Sequence, residues 1–246
     1  MNKEKKLAVS EVFYSIQGEG KTMGYPSVFV RLGGCNLMCG GMGTQNDKEL
    51  HNEAQWRCDT VEVWMKSQSK FISQVLNEEQ IKAIKNGAHL IMTGGEPLMQ
   101  QKNLVEFIKY IKSNINENVY VEIETNGTII PNEDTLQYIN LFNCSPKTKN
   151  SGNDKSLTYV PKAIRTINEA KDSIFKFVIN DYNDFEEVKN DYAQLVDREK
   201  IWLMPAGENQ KLLEKTKENV AELCKVNNLK FTTRLHIEIW NQKTGV

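Results

Sequence analysis

The sequence predicts an α/β fold with a mainly parallel sheet, a (β/α) barrel or part of one. Short β-rich runs alternate with longer segments of helical periodicity, and repeated β-α units of this kind build parallel sheets. The chain has 246 residues, which is enough for one sizeable domain with a buried core. No internal repeat or low-complexity linker divides it. We therefore expect one domain over residues 1–246, with its functional groups where strands end and loops begin.

Each predicted element follows from a local pattern. Strands are expected where short apolar runs are rich in β-branched residues. In chain order these runs are 28–32, 89–92, 119–124, 141–144, 174–179, 201–204 and 230–236. Helices are expected where apolar residues recur at three- and four-residue steps. These segments are 78–85, 102–113, 133–140, 183–195 and 210–226.

The composition argues against several classes of function. The chain carries 31 basic and 32 acidic residues, for a formal net charge of -1, so it has no overall field for nucleic acid or an anionic membrane. A small-molecule substrate is therefore expected, with no nucleic-acid partner. Met1 leads into no apolar signal region, and no segment approaches the roughly 20 apolar residues of a membrane span. We expect a cytoplasmic protein with no membrane partner.

Three of the five cysteines, Cys35, Cys39 and Cys58, lie in one part of the chain. An odd number of cysteines without a secretory signal argues against a disulfide framework and favours metal binding. Three thiolates can hold three irons of a cubane cluster and leave the fourth iron open to a ligand. Cys144 and Cys224 lie apart from this group, and we expect them to be core thiols.

The segment between the second and third of these cysteines interrupts the pattern. Residues 40–57 begin with a polar, glycine-rich stretch without periodicity, which predicts a flexible loop inserted in the domain. Eighteen residues separate Cys39 from Cys58, so the loop must fold back to bring the thiols together. His51 lies inside the loop, and Cys35, Cys39, His51 and Cys58 form an alternative zinc set. On these residues alone, a cluster and a zinc site both stay open.

The sequence Thr93-Gly94-Gly95-Glu96-Pro97 follows a short apolar run, at the C-terminal end of a predicted strand. Two glycines permit a sharp backbone path and the close approach of a ligand, and Glu96 offers a carboxylate to an ammonium group. The alternative is a tight strand-to-helix turn in which Pro97 starts the helix. Taken alone, the segment favours the turn.

Together, the cysteines and the Gly-Gly-Glu-Pro loop resemble the radical S-adenosylmethionine superfamily. That superfamily has the pattern Cys-x3-Cys-x2-Cys; this chain keeps Cys35-x3-Cys39, and the insertion displaces Cys58. The flanking sequence resembles one family within it, the 7-carboxy-7-deazaguanine synthases, some of which have an extended cluster loop. The matching segments are 11–20 (EVFYSIQGEG), 31–37 (RLGGCNL), 58–60 (CDT), 124–127 (ETNG), 145–147 (SPK) and 234–235 (RL). The resemblance therefore covers nearly the whole chain.

The resemblance implies the partial (β/α) barrel of radical S-adenosylmethionine enzymes and a defined reaction. Cys35, Cys39 and Cys58 would hold a [4Fe-4S] cluster whose open iron binds S-adenosylmethionine, and Thr60 would help to bind Mg²⁺. Reductive cleavage would give a 5′-deoxyadenosyl radical that takes hydrogen from C6 of 6-carboxy-5,6,7,8-tetrahydropterin. Ring contraction and loss of ammonia would give 7-carboxy-7-deazaguanine for queuosine-type biosynthesis. An electron donor such as flavodoxin and a homodimer are also implied.

The family pattern also assigns residues of this chain to each ligand. To the pterin substrate it assigns Ile16, Gln17, Gly18, Glu19, Arg31, Thr93 and Val246. To S-adenosylmethionine it assigns Gly95, Glu96, Ser145, Pro146, Lys147, Met204, Pro205, Ala206 and Gly207. Arg31 suits a carboxylate because its planar fork binds bidentately. The plain alternatives are a paired structural ion for Arg31, a solvated hydroxyl for Thr60 and a surface charge for Lys147.

Two regions depart from the family pattern. Met204 stands where the family has a glutamine, and Glu238, Trp240 and Asn241 stand where many members have Gln, His and Lys. Two other functions stay as alternatives. One is an activase of a glycyl-radical enzyme, whose additional cysteine-rich cluster domain is missing from this sequence; the other is a non-catalytic binding module stabilised by zinc.

Overall fold

The computed structural model describes residues 4–243 and Gly245. Its strands are β1 (Lys6–Ile16), β2 (Pro26–Leu32), β3 (Gln68–Phe71), β4 (His89–Gly94), β5 (Val121–Thr125), β6 (Leu141–Cys144), β7 (Ser173–Ile179), β8 (Ile201–Pro205) and β9 (Lys230–Phe231). Its helices are α1 (Thr44–Asp47), α2 (Val61–Trp64), α3 (Glu78–Lys85), α4 (Gln101–Asn114), α5 (Glu133–Tyr138), α6 (Lys155–Thr158), α7 (Pro161–Asn168), α8 (Tyr182–Tyr192), α9 (Gln210–Asn227) and α10 (Leu235–Trp240). Among the described residues, no helix combines the length and the apolar character needed to cross a membrane.

The strands form one open sheet in the order β3-β1-β2-β4-β5-β6-β7-β8-β9. From β2 to β9 each neighbouring pair is parallel, whereas β1 runs antiparallel to both β2 and β3. Helices link most of the parallel strands, because parallel pairing requires a crossover connection. In the described chain β3 and β9 are free edges, so the barrel is not closed. The predicted fold class, a mainly parallel partial barrel, is confirmed.

The central parallel strands carry the hydrophobic core. In β4 the side chains of Leu90, Ile91 and Met92 are fully buried, as expected for a strand covered on both faces. Helix α4 adds a row of buried apolar residues from Leu104 to Ile111 that belongs to the same core. This spacing is the helical periodicity that predicted α4.

The register of the parallel strands places their C-terminal ends side by side. Arg31 of β2 pairs with Thr93 of β4, and Leu32 pairs with Gly94. One pair further along the sheet, Thr125 at the end of β5 lies beside β6. Side chains and loops that follow these strands therefore meet at one edge of the sheet, which is where ligands bind in such folds.

The prediction of a strand over 230–236 is wrong beyond Phe231. Only Lys230–Phe231 pairs with β8, and Leu235–Trp240 forms helix α10. The chain turns away from the sheet because the Leu235 amide donates to the Gly18 carbonyl at 2.9 Å. The other predicted strands and all five predicted helices are present, with bounds that differ by at most three residues.

Strand β1 has no counterpart among the predicted strands. Most of its residues are half-buried, and a bulge between Val9 and Glu11 shifts its register. A clean alternation of buried and exposed residues is therefore absent from this segment, and that alternation is the pattern by which a strand is predicted. Helix α7 was likewise missed, although Pro161 at its first turn is a typical helix start.

Candidate active site

A cavity of about 470 Å³ lies at the C-terminal ends of the parallel strands. Three groups of predicted site residues line it together. They are the predicted cluster and magnesium ligands Cys35, Cys39, Cys58 and Thr60; the predicted substrate residues Ile16, Gln17, Gly18, Glu19, Arg31 and Thr93; and the predicted cofactor residues Gly95, Ser145, Lys147, Met204, Pro205, Ala206 and Gly207. Val246, the last predicted substrate residue, lies outside the described residues, but Gly245 belongs to the lining.

The three cysteines face the cavity in similar surroundings. The Cys39 thiol lies 3.6 Å from Asn153 Nδ2, and the Cys58 thiol lies 3.4 Å from Thr60 Oγ1. Burial raises the pKa of Cys35 to about 11 and that of Cys39 to about 12. Burial therefore favours the protonated form of the Cys35 and Cys39 thiols, and a metal that bound them would have to displace those protons. We call Cys35, Cys39, Cys58 and Thr60 the cluster site.

The insertion folds back, as its length requires. The Cys58 amide donates to the Cys39 carbonyl at 3.2 Å, so both ends of the loop meet at the cavity. Within the loop, the Gln55 amide donates to the Asn150 carbonyl at 2.8 Å, and Trp56 Nε1 donates to Asn150 Oδ1 at 2.8 Å. The prediction of a loop without regular structure is wrong at Thr44–Asp47, which form the helical turn α1.

The structure does not assemble the alternative zinc set. His51 Nε2 lies 2.9 Å from Asp47 Oδ2. Across residues 4–243 and Gly245, no three His, Cys, Asp or Glu side chains converge closely enough to hold one metal ion. A tetrahedral zinc site would bring its sulfur ligands to within about 4 Å of one another, whereas a cubane cluster binds each thiolate to a different iron and spaces them further apart. The described residues therefore do not support a zinc ion held by these three thiols.

The two glycines of the loop after β4 allow it to pack against the backbone beside Cys35. A Cβ atom on Gly95 would lie 1.8 Å from the Gly34 carbonyl oxygen, and one on Gly94, at φ +128°, would lie 2.2 Å from the Leu32 carbonyl oxygen. The Glu96 amide donates to the Gly34 carbonyl at 2.9 Å. The glycines are needed because two backbone segments touch here, so the predicted cofactor loop is fixed to the predicted cluster loop.

Glu96 and Pro146 are buried and lie outside the cavity lining. The Glu96 carboxylate accepts hydrogen bonds from the amide of Leu98 at 2.9 Å, the hydroxyl of Thr125 at 2.9 Å and the amide of Asn126 at 2.7 Å. Its burial raises the pKa of this carboxyl above the usual range. Binding of an ammonium group by Glu96, and of the cofactor by Pro146, stay predictions.

A second group of polar side chains forms a hydrogen-bonded network that reaches the cavity. Gln17 Nε2 donates to Glu122 Oε1 at 3.0 Å and to Glu124 Oε1 at 3.1 Å, and the Thr93 hydroxyl donates to Glu124 Oε2 at 2.7 Å. Behind Gln17, Asn143 Nδ2 donates to Glu122 at 2.8 Å. Burial, together with the neighbouring charge of Glu124, raises the pKa of Glu122 to about 7.

Glu19 joins this network through its backbone amide, which donates to Gln17 Oε1 at 3.3 Å, and its side chain is held by two cations. Its carboxylate pairs with Lys176, and it also accepts a hydrogen bond from Arg234 Nε at 3.0 Å. Burial alone would raise the pKa of Glu19, but Lys176 and Arg234 hold it well below its usual range. A buried carboxylate that stays ionised in this way is a fixed negative charge in the cavity wall. We call Gln17, Glu19, Glu122, Glu124 and Lys176 the carboxylate network.

Three of the buried polar residues in this region, Glu122, Asn143 and Lys176, were not predicted. A signal for them exists in the sequence, because each is a single polar residue between apolar neighbours in a central strand. A charge or amide at such a position is buried and must be paired or serve a ligand. The pattern therefore points to a polar interior on one side of the sheet.

Arg31 and Lys147 both lie in the cavity wall with partners of their own. Arg31 Nε donates to Glu11 Oε2 at 3.2 Å, and the guanidinium lies 5.5 Å from the centre of the Phe13 ring. Within the described residues the side chain of Arg31 makes hydrogen bonds through Nε only. Lys147 Nζ donates to the carbonyl and hydroxyl oxygens of Ser145, each at 2.8 Å. Both cations therefore present positive charge beside the space that a ligand would occupy.

The loop after β8 supplies another wall. Met204 is buried at the end of the strand, and the Ala206 amide donates to the Ile179 carbonyl at 2.9 Å. The Gly207 carbonyl accepts a hydrogen bond from Arg234 Nη1 at 2.8 Å. This loop is therefore held by backbone contacts, which do not depend on the glutamine that Met204 replaces.

An open, mainly parallel sheet with three thiols in one cavity is the architecture of a protein that holds one iron-sulfur cluster. The sequence model of the family described as "4Fe-4S single cluster domain" matches residues 16–168. The 7-carboxy-7-deazaguanine synthase of Aquifex aeolicus is 33% identical over 225 residues, covering 89% of this chain and 86% of that protein. The 7-carboxy-7-deazaguanine synthase of Halobacterium salinarum is 29% identical over 261 residues, covering 96% of this chain and 91% of that protein.

The crystal structure of QueE from Escherichia coli has the same fold, with a TM-score of 0.65 at 22% identity over 94% of this chain and 95% of that chain. This chain belongs to the 7-carboxy-7-deazaguanine synthase family. The resemblance seen in the motifs is therefore confirmed. Membership favours an enzyme of this family over a glycyl-radical activase or a zinc-stabilised module.

Proposed function

We propose that this protein is a lyase that converts 6-carboxy-5,6,7,8-tetrahydropterin into 7-carboxy-7-deazaguanine and ammonia. Family membership supports the reaction. The observation that carries it in this chain is that one cavity brings together Cys35, Cys39 and Cys58 with Arg31 and Gln17. The atoms of the product and of ammonia together account for those of the pterin, so the overall conversion needs no net oxidant.

The cavity can hold the two cofactors that the reaction needs. When bound, a [4Fe-4S] cluster and S-adenosylmethionine supply the one-electron chemistry that removes a hydrogen atom from the substrate. Cys35, Cys39 and Cys58 hold the cluster. The walls made by Gly95, by Ser145 and Lys147, and by Met204 to Gly207 would hold S-adenosylmethionine. The protein's part is to orient the ligands and to exclude water.

The pterin is held by charge and by hydrogen bonding. The guanidinium of Arg31 binds the substrate carboxylate, since its terminal nitrogens make no other hydrogen bond within the described residues. The carboxylates of the carboxylate network suit the amino and ring N–H groups of the pterin, which are donors. Gln17 and Thr93 fix these carboxylates in place.

Thr60 supplies an oxygen ligand for Mg²⁺. Its hydroxyl lies in the cavity wall, 3.4 Å from the Cys58 thiol. Mg²⁺ prefers oxygen ligands and commonly bridges one or two protein groups to the substrate. A pterin carboxylate oriented by Arg31 would supply such a second ligand.

Three broader assignments go with this function. All five cysteines are free thiols, which together with an iron-sulfur cluster suits the reducing cytoplasm. A small reducing protein such as flavodoxin supplies the electron, and the chain works as a homodimer, both by the family pattern. The product serves queuosine-type deazapurine biosynthesis.

The test is an anaerobic assay of the iron-reconstituted protein with reductant, S-adenosylmethionine, Mg²⁺ and 6-carboxytetrahydropterin, with the product identified by mass. We expect 7-carboxy-7-deazaguanine and an equal amount of ammonia. Cleavage of S-adenosylmethionine without this product would support the proposed cofactors and contradict the proposed substrate. Purified protein that binds zinc and no iron would reject the proposal altogether.

A further inference from the structure

Arg234 joins three separate segments of the cavity wall through one side chain. Its Nε donates to Glu19 at 3.0 Å, its Nη1 donates to the Gly207 carbonyl at 2.8 Å, and its Nη2 donates to Asp59 Oδ2 at 2.7 Å. Its side chain is only 15% exposed. A guanidinium is planar and rigid, so three bonds made at its three nitrogens fix the three partners relative to one another.

Each of these partners belongs to a segment with a different proposed role. Glu19 belongs to the segment that contacts the pterin, Gly207 to the loop that contacts S-adenosylmethionine, and Asp59 lies between Cys58 and Thr60 in the cluster site. The three are distant in sequence and meet at a single residue near the C-terminus. Arg234 is therefore placed where the positions of substrate, cofactor and cluster can be set together.

The backbone around Arg234 is itself locked to the substrate segment. The Leu235 amide donates to the Gly18 carbonyl at 2.9 Å, and the Gly20 amide donates to the Thr232 hydroxyl at 2.8 Å. The His236 ring fills the space beside Gly18, since a Cβ there would lie 2.2 Å from its Nδ1. The backbone that carries Arg234 is therefore held in place independently of the guanidinium. A substitution of the side chain should change the relative positions of the three partner segments more than the position of its own segment.

We propose that Arg234 is a positioning residue that couples cleavage of S-adenosylmethionine to reaction of the pterin. This inference rests on the proposed function. Without the three-way contact, we expect the cofactor wall and the substrate wall to shift relative to each other. A misplacement of about 1 Å can cost about 100-fold in rate. Among the described residues Arg234 makes no hydrogen bond to Cys35, Cys39 or Cys58, so cleavage of S-adenosylmethionine is expected to continue.

The experiment compares wild type, Arg234→Met and Arg234→Lys, each as the full chain reconstituted with iron and sulfide. Arg165→Met is the matched control, because Arg165 is an exposed arginine on helix α7. The readout is the ratio of 5′-deoxyadenosine accumulated to 7-carboxy-7-deazaguanine formed. We expect this ratio to rise at least about 10-fold in Arg234→Met, less in Arg234→Lys, and not at all in the control. A variant that is merely less folded would lower both amounts together and leave the ratio unchanged.

The outcomes separate the two proposals. Wild-type protein that makes no deazaguanine would overturn the proposed function, and this inference with it. Product from wild type, with the same ratio in all variants, would overturn only the role of Arg234. Loss of bound iron in both Arg234→Met and Arg234→Lys would also overturn it, because the residue would then be needed for folding or cluster assembly.

Discussion

The cluster site and the carboxylate network share one cavity but are built in opposite ways. The three thiols come from a single stretch of chain, and their side-chain hydrogen-bond partners lie at 3.4 to 4.0 Å, a weak association. The network joins segments as far apart as Gln17, Glu122 and Lys176, through hydrogen bonds near 3 Å and an ion pair. The thiols of the cluster site therefore have only weak protein partners, whereas the network residues are already joined by hydrogen bonds and an ion pair.

Substitutions in the cluster site and in the carboxylate network should therefore have different effects. A cysteine removed from the cluster site takes away a proposed cluster ligand but leaves no buried charge behind. A residue removed from the network strands a buried charge or hydrogen-bonding group, which destabilises a protein by several kcal/mol. Changes at the cluster site should therefore be seen in cofactor content, and changes in the network in both stability and substrate binding.

The largest effect is expected from Cys39→Ala. Loss of one of three cluster ligands should remove nearly all bound iron and sulfide, and should lower product formation by more than the roughly 10- to 100-fold typical of residues outside the ligand shell. Iron and sulfide per chain and the absorbance of the reconstituted protein measure this. Cys144→Ala is the control, because Cys144 is buried outside the cavity lining. Full cluster content in Cys39→Ala would show that Cys39 is not a ligand.

A second large effect is expected from Arg31→Lys. Lysine keeps the charge but loses the bidentate fork, so the KM for the pterin should rise about 10- to 100-fold, the value of a charge-assisted hydrogen bond, while cofactor cleavage changes little. Glu11→Gln removes the negative charge that pairs with Arg31 and leaves the guanidinium. Its effect should stay below about fivefold. Equal KM values for Arg31→Lys and wild type would exclude the carboxylate contact.

How far the sequence predicts this molecule also differs between the two regions. The cysteines of the cluster site lie in one part of the chain, and the Gly-Gly-Glu-Pro loop is local as well, so both can be recognised without the fold. The path of residues 40–57 was not, because it depends on contacts with Asn150 and its neighbours about a hundred positions away. Local sequence therefore identifies the side chains that can bind a ligand, but it does not predict the path of the loop that holds them.

The carboxylate network was mostly missed for the same physical reason. Thr93 meets Glu124 only because β4 and β5 are adjacent and in register, and Glu19 meets Lys176 only because β7 lies under the segment after β1. Strand order decides these pairs, and periodicity does not give strand order. The turn at Thr232 was not predicted for a similar reason. The β-branched run there favours a strand, and its contact with Gly20 is visible only in the folded chain.

A smaller effect is expected from a tag fused after Val246. The family pattern gives the terminal carboxylate to the substrate, and the nearby residues Asn241 and Gly245 line the cavity. Blocking that carboxylate should lower turnover about 10-fold, the lower end for one charge-assisted hydrogen bond. The comparison is between C-terminally and N-terminally tagged protein with equal iron content. Equal turnover would remove the terminal carboxylate from the site.

The smallest effect is expected from Glu122→Gln, and it tests whether the network limits stability. Burial beside Glu124 raises the pKa of Glu122 from 4.5 to about 7. Below pH 4.5 both the folded and the unfolded states hold this proton; as the pH rises, the unfolded state ionises first, so the folded state loses stability until about pH 7 and no more above it. Glutamine cannot ionise and keeps the shape of the protonated acid.

The Tm of Glu122→Gln relative to wild type should therefore rise between pH 5 and pH 8, by roughly 6 °C if the whole shift is expressed. Glu133→Gln, at an exposed position in the first turn of helix α5, is the control and should show a constant difference. Parallel Tm curves for Glu122→Gln and wild type would mean that Glu122 stays ionised through its contacts with Gln17, Thr22 and Asn143. The hydrogen bonds of the network would then stabilise the ionised form of Glu122.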